Sequence, residues 1–152
     1  MKISIGADHV GFAVKEHLRQ ILLAAGHEVT DCGTTSEASC DYPGFAAAVA
    51  RNVALGVSDR GVLVCGSGVG MQIAANKIPG VRGAAGTSED QVRLTRAHND
   101  LNVLTLGART MDPAEAERLL DAFLTAGFDG GRHTPRIAQI AELERAQQNG
   151  EK

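Results

Sequence analysis

Gly61-Val62-Leu63-Val64-Cys65-Gly66-Ser67-Gly68-Val69-Gly70-Met71-Gln72-Ile73-Ala74-Ala75-Asn76 runs from an unbroken apolar stretch, through alternating glycines, into an alanine-rich segment. An apolar run of this length that ends in glycine predicts a buried strand over 61–65. The segment beyond predicts a short helix over 71–76, entered directly from the glycine loop. A strand turning tightly into a helix is half of a β-α-β unit, so the rest of the chain is read for the same alternation.

The alternation holds in both directions. Strands are predicted over 3–5, 28–31, 81–85 and 103–106, with helical patterns between them. Over 12–22, Val14, Leu18, Ile21 and Leu22 fall on one helical stripe, and Gly26 supplies a stop. The segment 43–55 is rich in alanine and opens on Pro43. Ser88 with Gln91 forms a capping box for a helix over 88–98, and Asp112-Pro113-Ala114-Glu115 opens another. After Gly130-Gly131, Thr134-Pro135 can cap a last helix, about 135–146, carrying Ile137, Ile140, Ala141 and Leu143, with a frayed tail to 152. Strands alternating with helices imply right-handed crossovers and a parallel α/β sheet of about five strands, covered on both faces. Active sites of such sheets lie beyond the carboxyl ends of the strands.

The 152 residues describe one domain, 1–152, large enough to fold without disulfides or a structural metal. A net charge of −3 and 3 % aromatic content argue against a nucleic-acid partner. No apolar run reaches the roughly 18–20 residues of a membrane span, and the start does not read as a signal peptide, so the expected compartment is the cytoplasm. Cys32, Cys40 and Cys65 show no C-x-x-C spacing and are expected to be free thiols.

At the strand ends, Cys65-Gly66-Ser67-Gly68-Val69-Gly70 offers successive backbone N–H groups that can hold an anion or oxyanion. It is equally readable as a tight turn, and it lacks the Lys-Ser or Lys-Thr of a phosphate loop. Cys65, beside a helix start, could serve as base or nucleophile, or be one more small buried side chain. Ser67 could donate to an oxyanion or satisfy its own turn. Asp8-His9 follows the first strand, where the acid could orient hydroxyls or cap the next helix. His98 ends a helix, a position the helix dipole favours in any case. Arg109, Arg132 and Arg136 could clamp a phosphate or form surface ion pairs.

Gly6-Ala7-Asp8-His9-Val10-Gly11-Phe12, Asp41-Tyr42-Pro43, Cys65-Gly66-Ser67-Gly68-Val69-Gly70, Ala74-Ala75-Asn76-Lys77, His98-Asn99-Asp100-Leu101-Asn102-Val103 and Gly130-Gly131-Arg132-His133 together resemble the type B ribose-5-phosphate isomerase family. The resemblance implies a Rossmann-like three-layer α/β/α sandwich and an aldose–ketose isomerase of phosphorylated sugars. It implies no metal, no cofactor, and a homodimer or dimer of dimers whose active sites use both subunits. Carried onto this chain, Cys65 is the general base that moves a proton between C2 and C1, Ser67 and the loop amides of Gly66, Gly68, Val69 and Gly70 hold the enediolate, and His98 opens the furanose ring. Asp8 and Asn99 stand near the sugar hydroxyls, His9, Arg109, Arg132 and Arg136 take the phosphate, Tyr42 lines the pocket, and His133 is a neighbour. Some members carry a glutamate base where this chain has Met71, which cannot accept a proton. Related members act on allose 6-phosphate or galactose 6-phosphate, so ribose 5-phosphate leads and those hexoses, or a free aldose, stay open. A phosphometabolite-binding module without turnover is the reading from another class, and a flavodoxin-like nucleotide binder is the third.

Overall fold

The computed structural model describes residues 1–150. The elements run β1 Lys2–Ala7, α1 Phe12–Ala24, β2 Glu28–Asp31, α2 Pro43–Ala54, β3 Arg60–Cys65, α3 Val69–Ala75, β4 Gly83–Ala85, α4 Glu89–Asn99, β5 Val103–Gly107, α5 Pro113–Thr125 and α6 Thr134–Gln148. The strands form one parallel sheet in the order β2-β1-β3-β5-β4. Helices α1, α4 and α5 pack on one face and α2 and α3 on the other, so the sandwich has three layers.

The pleat distributes β3 between the two cores. Val62 and Val64 join Leu18, Val92, Leu119 and Phe123 on one face, while Leu63 and Cys65 join Val49, Met71 and Ala75 on the other. Each fully buried Leu, Ile or Phe contributes about 1.5–3 kcal/mol. Met71 is fully buried, so the side chain at that position is core. Lys15 is also fully buried and is held by Asp31, by Glu16 at 2.9 Å and by the Phe12 ring.

Local rules set most boundaries. Ser88 Oγ accepts from Gln91 N and Asp112 Oδ1 from Glu115 N, so both predicted caps form. Gly26 ends α1 with a left-handed φ of 80°. Three expectations need correction. β4 starts at Gly83 rather than 81, because Arg82 N donates to the Asn102 side chain instead of joining the ladder. α3 starts at Val69 rather than 71, immediately after the left-handed Gly68. Thr134 does not cap the last helix: Gly130 and Gly131, both at positive φ, lead through a single 3-10 turn, and Thr134 enters as its first residue. That helix continues to Gln148, past the expected end at 146, and the last two residues of the expected frayed tail, 151–152, lie outside the described residues.

Candidate active site

Strand order places the crevice between β1 and β3, where connections leave the sheet in opposite directions. There the chain opens a cleft of about 430 Å³ lined by Asp8, His9, Val10, Tyr42, Cys65, Gly66, Ser67, Val69, Gly70, Ile73 and Arg109. Ligand sites span about 300–1,000 Å³, so the size suits a small metabolite.

The loop after β3 is built around the thiol. Cys65 is 5 % exposed, and its Sγ accepts from Gly68 N at 3.2 Å. Gly68 adopts φ 79°, and an added Cβ would lie 3.1 Å from the Leu106 carbonyl carbon, so glycine is required there. Ser67 Oγ accepts from Val69 N at 3.3 Å. Its hydroxyl hydrogen is left to donate outward, so turn and oxyanion roles coexist. Among the described residues the backbone N–H groups of Ser67 and Gly70 have no acceptor in the chain.

The neighbouring elements supply polar walls. Asp8 is 6 % exposed, and its Oδ1 accepts from Val10 N and Gly11 N at 3.0 Å, which folds the turn into α1. Its Oδ2 has no partner among the described residues. His9 Nδ1 accepts from Cys40 N at 3.2 Å, so Nε2 carries the proton and is a donor even in the neutral ring. The Arg109 guanidinium lies over Gly66, with Nη1 3.2 Å from where a Cβ would stand. Tyr42 packs on Gly70 in the same way. Val10 and Ile73 also line this cleft. Sequence reasoning passed over both; for Ile73 the available signal was its i, i+4 pairing with Val69 on a helix too short to bury both faces.

The remaining expected residues are not at this cleft in the same chain. α4 starts beyond the carboxyl end of β4 and runs back, so His98 and Asn99 end at the amino edge of the sheet, where Asn99 lies beside Leu101 and Arg82. Cys65 pairs with Gly107 and Gly61 with Val103, so the two sites lie four strand residues apart, about 13 Å along the sheet. At the amino edge His98 stacks on His133 with ring centroids 4.4 Å apart and 13° between planes. Burial and the positive charges of His98, Arg132 and Arg136 hold the His133 pKa below its ordinary 6.5. Asn99 borders a separate recess of about 290 Å³. Ligand atoms of His98, Asp129 and His133 lie within 4.8 Å of one another, a metal-like spacing. Two guanidiniums beside one carboxylate, and rings stacked in parallel, fit an anion better than a cation. The structure thus brings Asp8, His9, Tyr42, Cys65, the glycine loop and Arg109 together in one group, and His98, Arg132, Arg136 and His133 in another.

Among the described residues no helix is long and apolar enough to cross a membrane, and Cys32, Cys40 and Cys65 are free. Ribose-5-phosphate isomerase B of Escherichia coli is 44 % identical over 143 residues, covering 94 % of this chain and 96 % of that protein. The structure of Clostridium thermocellum ribose-5-phosphate isomerase B superposes with a TM-score of 0.95 at 44 % identity, covering 97 % of this chain and 99 % of that one. The Mycoplasma genitalium ribose-5-phosphate isomerase B, solved with bound ribulose 5-phosphate, gives a TM-score of 0.91 at 40 % identity, covering 95 % and 96 %. With residues 3–140 matching the family description as well, the chain belongs to the Ribose/Galactose Isomerase family.

Proposed function

We propose that this protein interconverts ribose 5-phosphate and ribulose 5-phosphate, acting as one domain in the cytoplasm and as a homodimer or dimer of dimers. The observation that carries the reading is the Cys65 thiol, bonded by the Gly68 amide, at the head of a loop with unpaired N–H groups and an arginine above it. Proton abstraction beside a carbonyl needs a positioned base and donors for the oxygen that becomes negative. Cys65 is the base; the N–H groups of Ser67 and Gly70 and the Ser67 hydroxyl are the donors.

The furanose must open before its carbonyl exists. The partner subunit's His98 moves the proton of the anomeric hydroxyl to the ring oxygen, giving the open aldehyde. The Cys65 thiolate then takes the C2 proton and forms the enediolate. It returns the proton to C1 while the O2 proton passes to O1, leaving the ketone at C2. Asp8 and the partner's Asn99 hold the sugar hydroxyls. His9 and Arg109, with the partner's Arg132 and Arg136, grip the phosphate, whose binding energy fixes the reacting carbons. Free thiols suit a reducing compartment.

The standing of the two groups at opposite edges of one sheet supports a site shared between subunits. The test is ribose 5-phosphate isomerisation in the presence of a chelator, with Cys65→Ala and His98→Asn proteins assayed alone and after co-refolding. Each variant alone is expected to be inactive. In the mixture, half of the dimers are mixed and each holds one intact site, restoring about a quarter of wild-type activity. Inactive wild type would sink the assigned activity, and an inactive mixture of folded, associated chains would sink the shared site.

A further inference from the structure

We infer that Asp100 is a positioning residue for His98: its carboxylate, clamped between Arg82 and Arg96 in a left-handed turn, fixes the end of α4 that presents the imidazole. The inference rests on the role of His98 proposed above.

Asp100 is the one non-glycine residue at positive φ among the described residues, at φ 48° and ψ 49°. Glycine is the usual occupant of such a helix-ending position, because it has no Cβ to strain. An aspartate there calls for a use of its side chain. Its Oδ2 lies 2.8 Å from Arg82 Nη2 and its Oδ1 2.8 Å from Arg96 Nη1. Arg82 Nε also donates to the Asp100 carbonyl at 2.9 Å. Both carboxylate oxygens and the carbonyl are therefore held by guanidiniums from either side.

Arg96 extends the clamp to the rest of the amino-edge cluster. It is 3 % exposed, and it donates to the Leu101 carbonyl at 2.5 Å and to the Ala126 carbonyl at 3.3 Å. One buried guanidinium thus joins the end of α4, the entry to β5 and the exit of α5. The α5 exit leads into the segment carrying Asp129, Arg132 and His133, and Asp129 N is tied back to the Ala97 carbonyl at 2.9 Å. His98 makes no side-chain hydrogen bond among the described residues, so its ring is aimed by its backbone and by the stack on His133. Both partners of that stack are anchored to the same charged pair.

Asp100→Gly separates positioning from strain. It keeps the left-handed turn without strain and removes the clamp, whereas Asp100→Asn tolerates the turn and keeps an oxygen acceptor. Both are made in the full chain, with His98→Asn in parallel, and each is followed by thermal melting and by rates in both directions. The expected result for Asp100→Gly is a folded protein with a lowered Tm, because the buried Arg96 charge loses its carboxylate, and a kcat on ribose 5-phosphate, measured well below that Tm, lower by about 10- to 100-fold. Asp100→Asn recovers most of that loss. The loss is smaller starting from ribulose 5-phosphate, whose phosphorylated C5 oxygen cannot close a furanose and which needs no ring opening. Asp100→Gly with wild-type kcat, beside an inactive His98→Asn, overturns the inference and leaves the His98 role standing. Wild-type kcat in His98→Asn removes the His98 role itself. A loss equal in both directions and unrescued by Asn makes Asp100 structural and also overturns the inference.

Discussion

Gly107→Ala would place a methyl group against the backbone of the glycine loop that follows Cys65. Gly107 ends β5, is buried, and pairs with Cys65. Its φ is not positive, so alanine can adopt the same backbone and only the contact matters. A Cβ there would stand 2.9 Å from both the carbonyl carbon and the oxygen of Ser67, and 2.8 Å from Thr110 Oγ1. Carbon–carbon contacts settle at about 3.5–4.0 Å, so the Ser67 peptide must retreat by about 0.6 Å or more. The loop cannot retreat freely, because Ala108 N donates to the Cys65 carbonyl at 2.8 Å and Arg109 N to the Gly66 carbonyl at 3.0 Å. Overpacking of this kind costs about 2 kcal/mol, which in a chain of this size lowers Tm by about 4–8 °C. A misplacement of about 1 Å costs roughly a hundredfold in rate, so about 0.6 Å corresponds to a 10- to 20-fold loss of kcat. The assay is the initial rate of ribose 5-phosphate isomerisation beside a thermal melt. Gly127→Ala is the control, where an added Cβ meets nothing within 4 Å. A Gly107→Ala protein with wild-type kcat refutes the reasoning, whatever its Tm.

Two further outcomes can be checked directly. Arg136→Ala is expected to raise KM about tenfold, the loss of one charged hydrogen bond of roughly 1.4 kcal/mol, with kcat little changed; unaltered kinetics would return Arg136 to the surface. Glu16 is hydrogen-bonded by Arg19 and Lys15, and its pKa falls from 4.5 to about 2. Because the folded state lowers this pKa, the stabilisation is complete above pH 4.5 and is lost as pH falls toward about 2. Melting curves across that range should therefore show wild type converging on Glu16→Gln, and parallel curves would count against the assignment.

The part of the site that could be read in advance is the part whose residues are close in sequence. The run 61–76 contains strand, loop, thiol and helix start, and backbone geometry alone brings them together. The helix starts at Ser88 and Asp112 were legible for the same reason, since a cap is a contact over three residues. The relation of His98 to Cys65 was not. Periodicity gives the order of elements along the chain, but the edge on which a helix ends depends on how far it runs back over the sheet. Asp8, Cys65 and Arg109 stand at strand carboxyl ends, whereas His98 lies in the last turn of α4, Arg132 in the 3-10 turn and Arg136 in the first turn of α6. The last helix shows a second limit. Ile137, Ile140 and Leu143 make an apolar pattern, yet none of α6 is buried and Leu143 is 68 % exposed.

The divided site and the unburied helix have a common explanation under the shared-site reading. A fifteen-residue helix with no buried face is marginal in water, because propagation hardly repays nucleation at that length. Val69 and Ile73 are likewise half exposed on α3, on the wall of the Cys65 cleft, where apolar side chains would otherwise stay in contact with water. A twofold partner that carries His98 and the start of α6 to that cleft would bring the exposed apolar side chains of α6 against an apolar wall. Association then buries both surfaces and completes both sites in the same step, since a twofold axis makes every contact twice. Catalysis and subunit stability would thereby depend on the same residues. A substitution at Ile73 is therefore expected to act on oligomeric state and on turnover together, although its side chain has no chemistry of its own.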